Sequence, residues 1–136
     1  MKSLTNYINE KLIINKDYRD ATIVVKSFDV LRKIIIDRYN KLGPGTKQNP
    51  IDFNYIDVSN IDSFYNKHKG VFEDTYFKYI DISDWDVSNV ENMGGMFQSS
   101  KFKGDISNWD VSNVKNMWGM FSDSPLENNP PKWYKG

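Results

Sequence analysis

The sequence predicts an α/β fold in which short repeated units stack behind an N-terminal helical cap. Three observations support this prediction. The segment that begins at Asp81 recurs almost unchanged from Asp105, each copy has the pattern of a strand followed by a turn and a helix, and the N-terminal part of the chain follows a different pattern. The length of 136 residues fits a single domain.

Internal repetition is the strongest feature of the chain. The segment Asp81–Met93 recurs as Asp105–Met117, and the match continues through the Gly-Met-Phe triplets at 95–97 and 119–121. A degenerate earlier copy occupies Ile56–Phe64. Units this short cannot bury an apolar face alone, so neighbouring units are expected to stack and share one core.

The first and last copies depart from the strict pattern. The first copy precedes its successor by more than the regular period, which predicts an insertion of about five residues within Lys67–Tyr79. Trp133 follows Trp109 at the regular interval, but Pro130-Pro131 replaces the Ile-Ser of the motif. Because proline cannot donate to a strand ladder, the last copy is predicted to be a C-terminal cap that closes the exposed edge.

Each unit has a local interpretation. Trp85-Asp86-Val87 is predicted to be a short strand, and Ser88 and Glu91 have the spacing of a helix N-terminal capping box. The following helix has its apolar residues at Val90, Met93 and Phe97. Strand, turn and short helix with a period of about 24 residues is the leucine-rich-repeat pattern, so we expect a short leucine-rich-repeat-like solenoid.

The recurrent apolar residues are predicted to form the core of the repeats. A tryptophan column as a stacking platform for sugars or bases is the alternative, as is a methionine groove for a promiscuous partner, but regular spacing favours burial. The predicted core residues are Trp85, Trp109, Trp133, Val87, Val111, Met93, Met117, Phe97 and Phe121.

The N-terminal part is predicted to be a helix, a strand and a second helix. The first helix spans Ser3–Leu12 and the strand spans Ala21–Val25. Ser27 begins a helix that runs to Leu42, and Gly43-Pro44 stops it. The segment 1–50 is therefore the predicted cap. The segment 51–136 is predicted to hold three repeats of roughly 24 to 29 residues each and a C-terminal cap, all in one structural domain.

Composition excludes several classes of protein. The chain has no cysteine, which excludes disulfides, zinc-thiolate sites and thiol catalysis. Its net charge is zero, which argues against general nucleic-acid binding. Residues 1–12 lack the apolar stretch of a signal peptide, and no run is long and apolar enough to span a membrane. The expected location is cytoplasmic rather than secreted.

Aspartates that recur with the repeats are the candidate binding site. Asp57, Asp86 and Asp110 are predicted to form a column on neighbouring strands, about 4.8 Å apart. Three interpretations remain open: each carboxylate caps its own turn, the column is an acidic surface for a basic protein, or it binds calcium. Asp84 and Asn108 next to the column and His68 in the predicted insertion complete the candidate surface.

Nothing in the sequence has the pattern of a catalytic site. His68 is the only histidine and cysteine is absent, which disfavours a histidine-activated nucleophile and a transition-metal site. Gly43-Pro44-Gly45 lacks the Gly-Lys-Ser/Thr end of a phosphate-binding loop. We therefore expect no enzyme activity, no cofactor and no catalytic residues.

The repeat resembles that of the BspA-like leucine-rich-repeat surface proteins, F-x-G-D-I-S-x-W-D-V-S-N-V-x-x-M-x-x-M-F. The resemblance is specific over residues 81–121, partial over 51–66 and weak beyond 125. The matching residues of the third repeat are Phe102, Gly104, Asp105, Ile106, Ser107, Trp109, Asp110, Val111, Ser112, Asn113, Val114, Met117, Met120 and Phe121.

The resemblance implies adhesion or protein contact rather than catalysis. The segment Ser27–Leu42 with Gly43-Pro44 also looks like the lead-in of short members encoded by bacteriophages or mobile elements. It implies a protein-binding module that acts on a bacterial host protein. The alternative is a structural component of a virion or a cell surface.

Overall fold

The computed structural model describes residues 22–136, which form one helix and six short strands. The helix, α1, spans Phe28–Leu42. The strands are β1 (Ile23–Val24), β2 (Ile51–Asp52), β3 (Ile56–Asp57), β4 (Tyr65–Asn66), β5 (Lys69–Gly70) and β6 (Ile80–Asp81). The predicted helix Ser3–Leu12 lies outside the described residues.

Helix α1 begins and ends where the sequence predicts. The Ser27 side chain accepts a hydrogen bond from the Val30 N–H at 3.3 Å, which satisfies an amide at the first turn. Gly43 has a φ of 72° and donates its N–H to the Tyr39 carbonyl at 2.7 Å, so the helix ends there. Its buried face carries Leu31, Ile34 and Ile35.

The strands pair two by two rather than in one sheet. β1 pairs with β3 in parallel, with Ile23 opposite Ile56, and β2 pairs with β6 in parallel. β4 and β5 form an antiparallel hairpin. The predicted strand Ala21–Val25 is present as the short β1, and Ala21 itself lies outside the described residues.

The prediction of a leucine-rich-repeat solenoid with an N-terminal helical cap is wrong. The described residues form a small mixed α/β structure whose short strands lie in three separate two-stranded sheets. Within residues 22–136 the only helix is α1, which precedes the repeats. The predicted strand Trp85–Val87 has no strand structure, and the segment that follows it is a series of turns instead of a helix.

The backbone of the repeats explains why neither element forms. The amides of Trp85 and Val90 donate to carbonyls three positions earlier, at 3.2 Å and 2.9 Å, so they close β-turns instead of extending a ladder. Gly95 and Ser99 have φ values of 59° and 55°. Left-handed residues this close together are incompatible with a right-handed helix, so the expected helical face of the repeat is made by consecutive turns.

The predicted capping box is also wrong. The Ser88 N–H and hydroxyl both donate to Oδ1 of Asp86, at 3.0 Å and 2.6 Å, so this serine closes a local turn. The Glu91 carboxylate lies 2.9 Å from the Lys115 ammonium of the next repeat. Glu91 therefore pairs with a lysine of the next repeat instead of capping a helix in its own repeat.

Successive repeats contact one another in register. Parallel bridges join Ser63 to Asn92 and Asn92 to Asn116. Alternate amides of the second repeat then donate to carbonyls of the third: Met93 to Asn116 at 2.8 Å, Gly95 to Trp118 at 2.8 Å and Phe97 to Met120 at 2.9 Å. Equivalent residues therefore lie beside one another from repeat to repeat.

Tryptophans reach back by one repeat inside this arrangement. The Trp85 indole N–H donates to the Phe53 carbonyl at 2.9 Å, that of Trp109 to Ile82 at 3.1 Å and that of Trp133 to Ile106 at 2.9 Å. The rings of Trp85 and Trp109 stack with centroids 6.5 Å apart, and those of Trp109 and Trp133 with centroids 6.3 Å apart. Each indole therefore satisfies a carbonyl and fills the core at once.

A second aromatic column runs beside the first. Phe72 stacks on Phe97 with a centroid distance of 5.3 Å, and Phe97 stacks on Phe121 at 5.7 Å. Met93 and Val87 are buried in the same core cluster, whereas Val111, Met117 and Trp133 are only partly buried.

The predicted insertion begins slightly earlier than expected. Phe64 and Val71 of the first repeat are equivalent to Met93 and Met96 of the second repeat. More residues separate the first pair than the second. Most of the extra residues form the β4–β5 hairpin, whose tip, at positions 67 and 68, has φ values of 52° and 65°. The insertion is thus centred on the tip of this hairpin.

Helix α1 supplies a side chain that contacts the first repeat. Arg32 Nη1 donates to the Val71 carbonyl at 2.7 Å, and its Nη2 lies 3.4 Å from the Glu73 carbonyl. The equivalent carbonyls of the second repeat, on Met96 and Gln98, accept amides of the first repeat. The guanidinium therefore occupies acceptors that an earlier repeat would occupy.

Replacing a core indole should cost far more stability than replacing an exposed one. Trp109 is 5% exposed, so Trp109→Ala should lower the free energy of unfolding by about 3–5 kcal/mol. Trp118 is 74% exposed, so the matched Trp118→Ala change should cost less than about 0.5 kcal/mol. Urea denaturation followed by circular dichroism measures both, and equal costs would contradict the buried column.

Candidate binding surface

The predicted aspartate column is held by a turn in each repeat. Oδ1 of Asp57 accepts the Ser59 N–H at 2.9 Å and its hydroxyl at 2.6 Å. Asp86 makes the same two bonds with Ser88, and Oδ1 of Asp110 accepts the N–H of the following serine at 3.0 Å. The interpretation that each aspartate caps its own turn agrees with these bonds.

Asparagine side chains hold these turns in register. The Asn89 amide donates to the Ser59 carbonyl at 2.9 Å, and the Asn113 amide donates to the Ser88 carbonyl at 2.6 Å. Each turn is thereby tied to the turn of the repeat before it. Oδ2 of Asp86 accepts no hydrogen bond within residues 22–136, and Asp86 is exposed.

A second column of aspartates runs parallel to the first. Oδ1 of Asp81 accepts the Ser83 N–H and hydroxyl at 3.0 Å and 2.7 Å. Asp105 makes the equivalent bonds with the serine of its own turn, at 2.9 Å and 2.6 Å. Asp52 occupies this position in the first repeat and accepts the Asn54 N–H at 2.8 Å. Sequence reasoning did not select this column, although the Asp-x-Ser spacing is the same in both.

The turn bonds hold the carboxylates in the charged form. Hydrogen bonds from the side chain and backbone of the serine in each turn lower the pKa of Asp57, Asp105 and Asp110. Burial acts to raise the pKa of Asp81, but hydrogen bonds from Ser83 and Asn54 outweigh it and the net shift is downward. The neighbouring Asp81 acts to raise the pKa of Asp105, as expected of adjacent like charges.

The other predicted residues lie at different positions in the repeat. Asp84 and Asn108 are exposed between the two columns, and the Asp84 N–H donates to Oδ1 of Asn54 at 3.0 Å. His68 is exposed at the tip of the β4–β5 hairpin. This hairpin of the first repeat occupies the position that the turn Met93–Met96 occupies in the second, and not the position of an aspartate turn. Asp84 and Asn108 therefore lie beside the columns, and His68 lies elsewhere in the repeat.

Lysines border the second aspartate column. A groove of about 480 Å³ is lined by Lys47, Lys78 and Lys103 together with Asp81 and Asp105. The Lys103 N–H donates to the Lys78 carbonyl at 3.2 Å, so these two lysines follow the same register as the aspartates. The charge of the surface thus changes from negative to positive at the edge of this column.

Two kinds of feature are absent from residues 22–136, a metal-binding cluster and a membrane-spanning helix. No group of three or more His, Cys, Asp or Glu side chains in this part of the chain is arranged to hold a metal ion. The helix in the same part is too short and too polar to cross a membrane.

One comparison with known proteins gives a match. The sequence profile of a family described as "Mycoplasma protein of unknown function, DUF285" matches residues 45–134. This range covers every repeat and both aspartate columns. No curated protein and no solved structure matches the chain.

Acid should destabilise the fold through the aspartate turns. A carboxylate whose pKa is lower in the folded state contributes stability that is complete above its unfolded pKa, near 3.8, and is lost as pH falls through the folded pKa. The urea concentration at the midpoint of unfolding should therefore decrease as the pH is lowered from about 5 to about 2.

The variant Asp81→Asn tests the cause of that loss, since an asparagine oxygen still accepts the Ser83 bonds but cannot titrate. This variant should lose less stability than the unmodified chain over the same acid range. A midpoint that stays constant or rises on acidification would contradict the role of these turns.

Proposed function

The chain belongs to the DUF285 family, and we propose that it is a non-enzymatic protein-binding module whose contact surface is the pair of aspartate columns. The second carboxylate oxygen is the observation that carries this proposal. Asp57, Asp86 and Asp110 each use Oδ1 for a turn, and their Oδ2 atoms have no hydrogen-bond partner within residues 22–136. A row of oriented acceptors is therefore available to a ligand.

The chemistry of this row favours a basic protein partner. Asp57 and Asp110 have pKa values lowered further below neutral by the bonds from the serines of their turns, so both carry a negative charge at neutral pH. Arginine and lysine side chains make the strongest bonds to ionised carboxylates, and rows of opposite charge steer association. A partner with basic residues at the repeat spacing fits this surface.

The arrangement offers less to a small ion or to an enzyme substrate. The carboxylates of the two columns are spread along the repeats, and no group of three or more His, Cys, Asp or Glu side chains within residues 22–136 is gathered around one point, as a calcium cage requires. The single histidine lies in the hairpin, away from the aspartate turns. These features support binding of an extended partner surface in preference to catalysis.

The partner class is a bacterial host protein, and the setting is a phage- or mobile-element-encoded protein inside the bacterial cell. This part of the proposal rests on the resemblance of the repeat to short BspA-like proteins. A structural or adhesive surface component is the second candidate, and the association of the family with BspA-like surface repeat proteins supports it. Labelling of intact cells that express the chain with a membrane-impermeant reagent separates the two candidates, because the reagent reaches a surface component and does not reach a protein inside the cell.

Neutralising the column should remove a bound partner without disturbing the fold. In the triple variant Asp57→Asn, Asp86→Asn, Asp110→Asn, the asparagine oxygens can keep the turn bonds while three charges are lost. Tagged unmodified chain should capture a specific protein from bacterial lysate, and the triple variant should recover it in reduced yield. Quantitative mass spectrometry of the captured proteins measures the difference, and added salt should have the same effect.

The control is Asp62→Asn. Asp62 is exposed and lies outside both columns, and the equivalent residue of the third repeat is Lys115, so the position tolerates loss of the negative charge. This variant should capture the partner as well as the unmodified chain. Equal capture by the triple variant would overturn the assignment of the surface.

A further inference from the structure

The third repeat ends in a backbone edge that repeats the pattern of an occupied edge. In the second repeat, the Met93 N–H donates to the third repeat at 2.8 Å, and the Glu91 carbonyl accepts the Lys115 N–H at 2.7 Å. The equivalent groups of the third repeat are the Met117 N–H and the Lys115 carbonyl. Neither has a hydrogen-bond partner within residues 22–136, so a donor and an acceptor flank Asn116 and point away from the repeats.

The side chains at this edge are uncovered in the same way. Val87, Val90 and Met93 of the second repeat are at most 1% exposed, because the third repeat covers them. Their equivalents are only partly buried and line a cavity of about 350 Å³ together with Trp133 and Lys135. These equivalents are Val111, Val114 and Met117.

The C-terminal segment covers one part of the edge. Trp133 stacks on Trp109, and Tyr134 packs edge-on against Phe121 with a centroid distance of 4.9 Å. Residues 130–134 make no backbone hydrogen bond with residues 111–119. This segment therefore covers the tryptophan column and leaves the backbone around Asn116 uncovered.

We propose that this edge is a homodimer interface in which two copies pair in antiparallel fashion around Asn116. The Met117 N–H of one copy donates to the Lys115 carbonyl of the other, and the reverse bond forms across the two-fold axis. Val111, Val114 and Met117 of the two copies then bury one another. The backbone bonds proposed here do not involve the aspartate carboxylates, so the proposal does not depend on the proposed function.

A second copy fits because the edge is self-complementary. A two-fold rotation about Asn116 brings each donor to an acceptor, which is the requirement of an isologous interface. The pairing sets Lys115 opposite Met117 of the other copy, so the two ammonium groups are not directly opposed. Lys115 also has a carboxylate partner, Glu91, at 2.9 Å, which offsets its positive charge at the interface.

At the opposite end of the repeats, α1 and β1 contact the first repeat. There Arg32 donates to the carbonyls of Gly70 and Val71, at 3.1 Å and 2.7 Å, and β1 pairs with β3. Because the two-fold pairing uses the same edge of both copies, the association closes at two copies.

Sedimentation of the full chain tests the proposal. The unmodified 15.9 kDa chain should sediment at twice its monomer mass at micromolar concentrations and dissociate on dilution. The variant Val114→Lys, Met117→Lys should remain monomeric, because it places charge on the uncovered apolar residues. The control Val24→Lys alters a valine that is 52% exposed at the other end and should leave the dimer intact.

Hydrogen exchange of the unmodified chain gives a test that does not rely on the folding of any variant. The Met117 amide should become protected as the chain concentration rises, whereas the protection of the Met93 amide should not depend on concentration. A chain that stays monomeric, a dimer that survives Val114→Lys, Met117→Lys with unchanged stability, or a Met117 amide unaffected by concentration would each overturn the proposal.

Discussion

The rest of the structure depends on an indole N–H that reaches from each repeat to a carbonyl of the repeat before it. Trp85, Trp109 and Trp133 make this bond at 2.9 to 3.1 Å, and their rings stack in sequence. One residue thus fixes the register through a directional bond and fills the core through its area. Strands this short would not fix that register alone, because a two-stranded pair is only marginally stable.

The register carries over from the core to the surface. Once the repeats are aligned by the tryptophans, the aspartates at equivalent positions fall into a column, and Asn89 and Asn113 tie its turns together. The columns therefore need no dedicated scaffold, because the packing that orders the core also orders the charged surface. The same register leaves the last repeat with the donor and the acceptor beside Asn116 that a following repeat would have satisfied.

Sequence reasoning found what the repeat period and local chemistry determine. The helix from Ser27 to Leu42 followed from a cap, a periodic apolar face and Gly43, all of which act locally. The helix expected after Ser88 is absent. The prediction failed because the apolar spacing fits a series of turns as well as a helix, and the spacing does not reveal that Ser99 adopts a left-handed φ. The Asp81 column was not predicted, although Asp81 and Asp105 have the same Asp-x-Ser spacing as the aspartates of the first column.

Exchange of the four indole N–H protons tests the central claim most directly. In a ¹⁵N-labelled sample, the indole protons of Trp85 and Trp109 should exchange with solvent slowly. The indole proton of Trp133, which is only partly buried, should exchange faster than these two. The Trp118 proton, on a side chain 74% exposed, should exchange rapidly. Four indole protons that exchange at the same fast rate would contradict a core held in register by tryptophan.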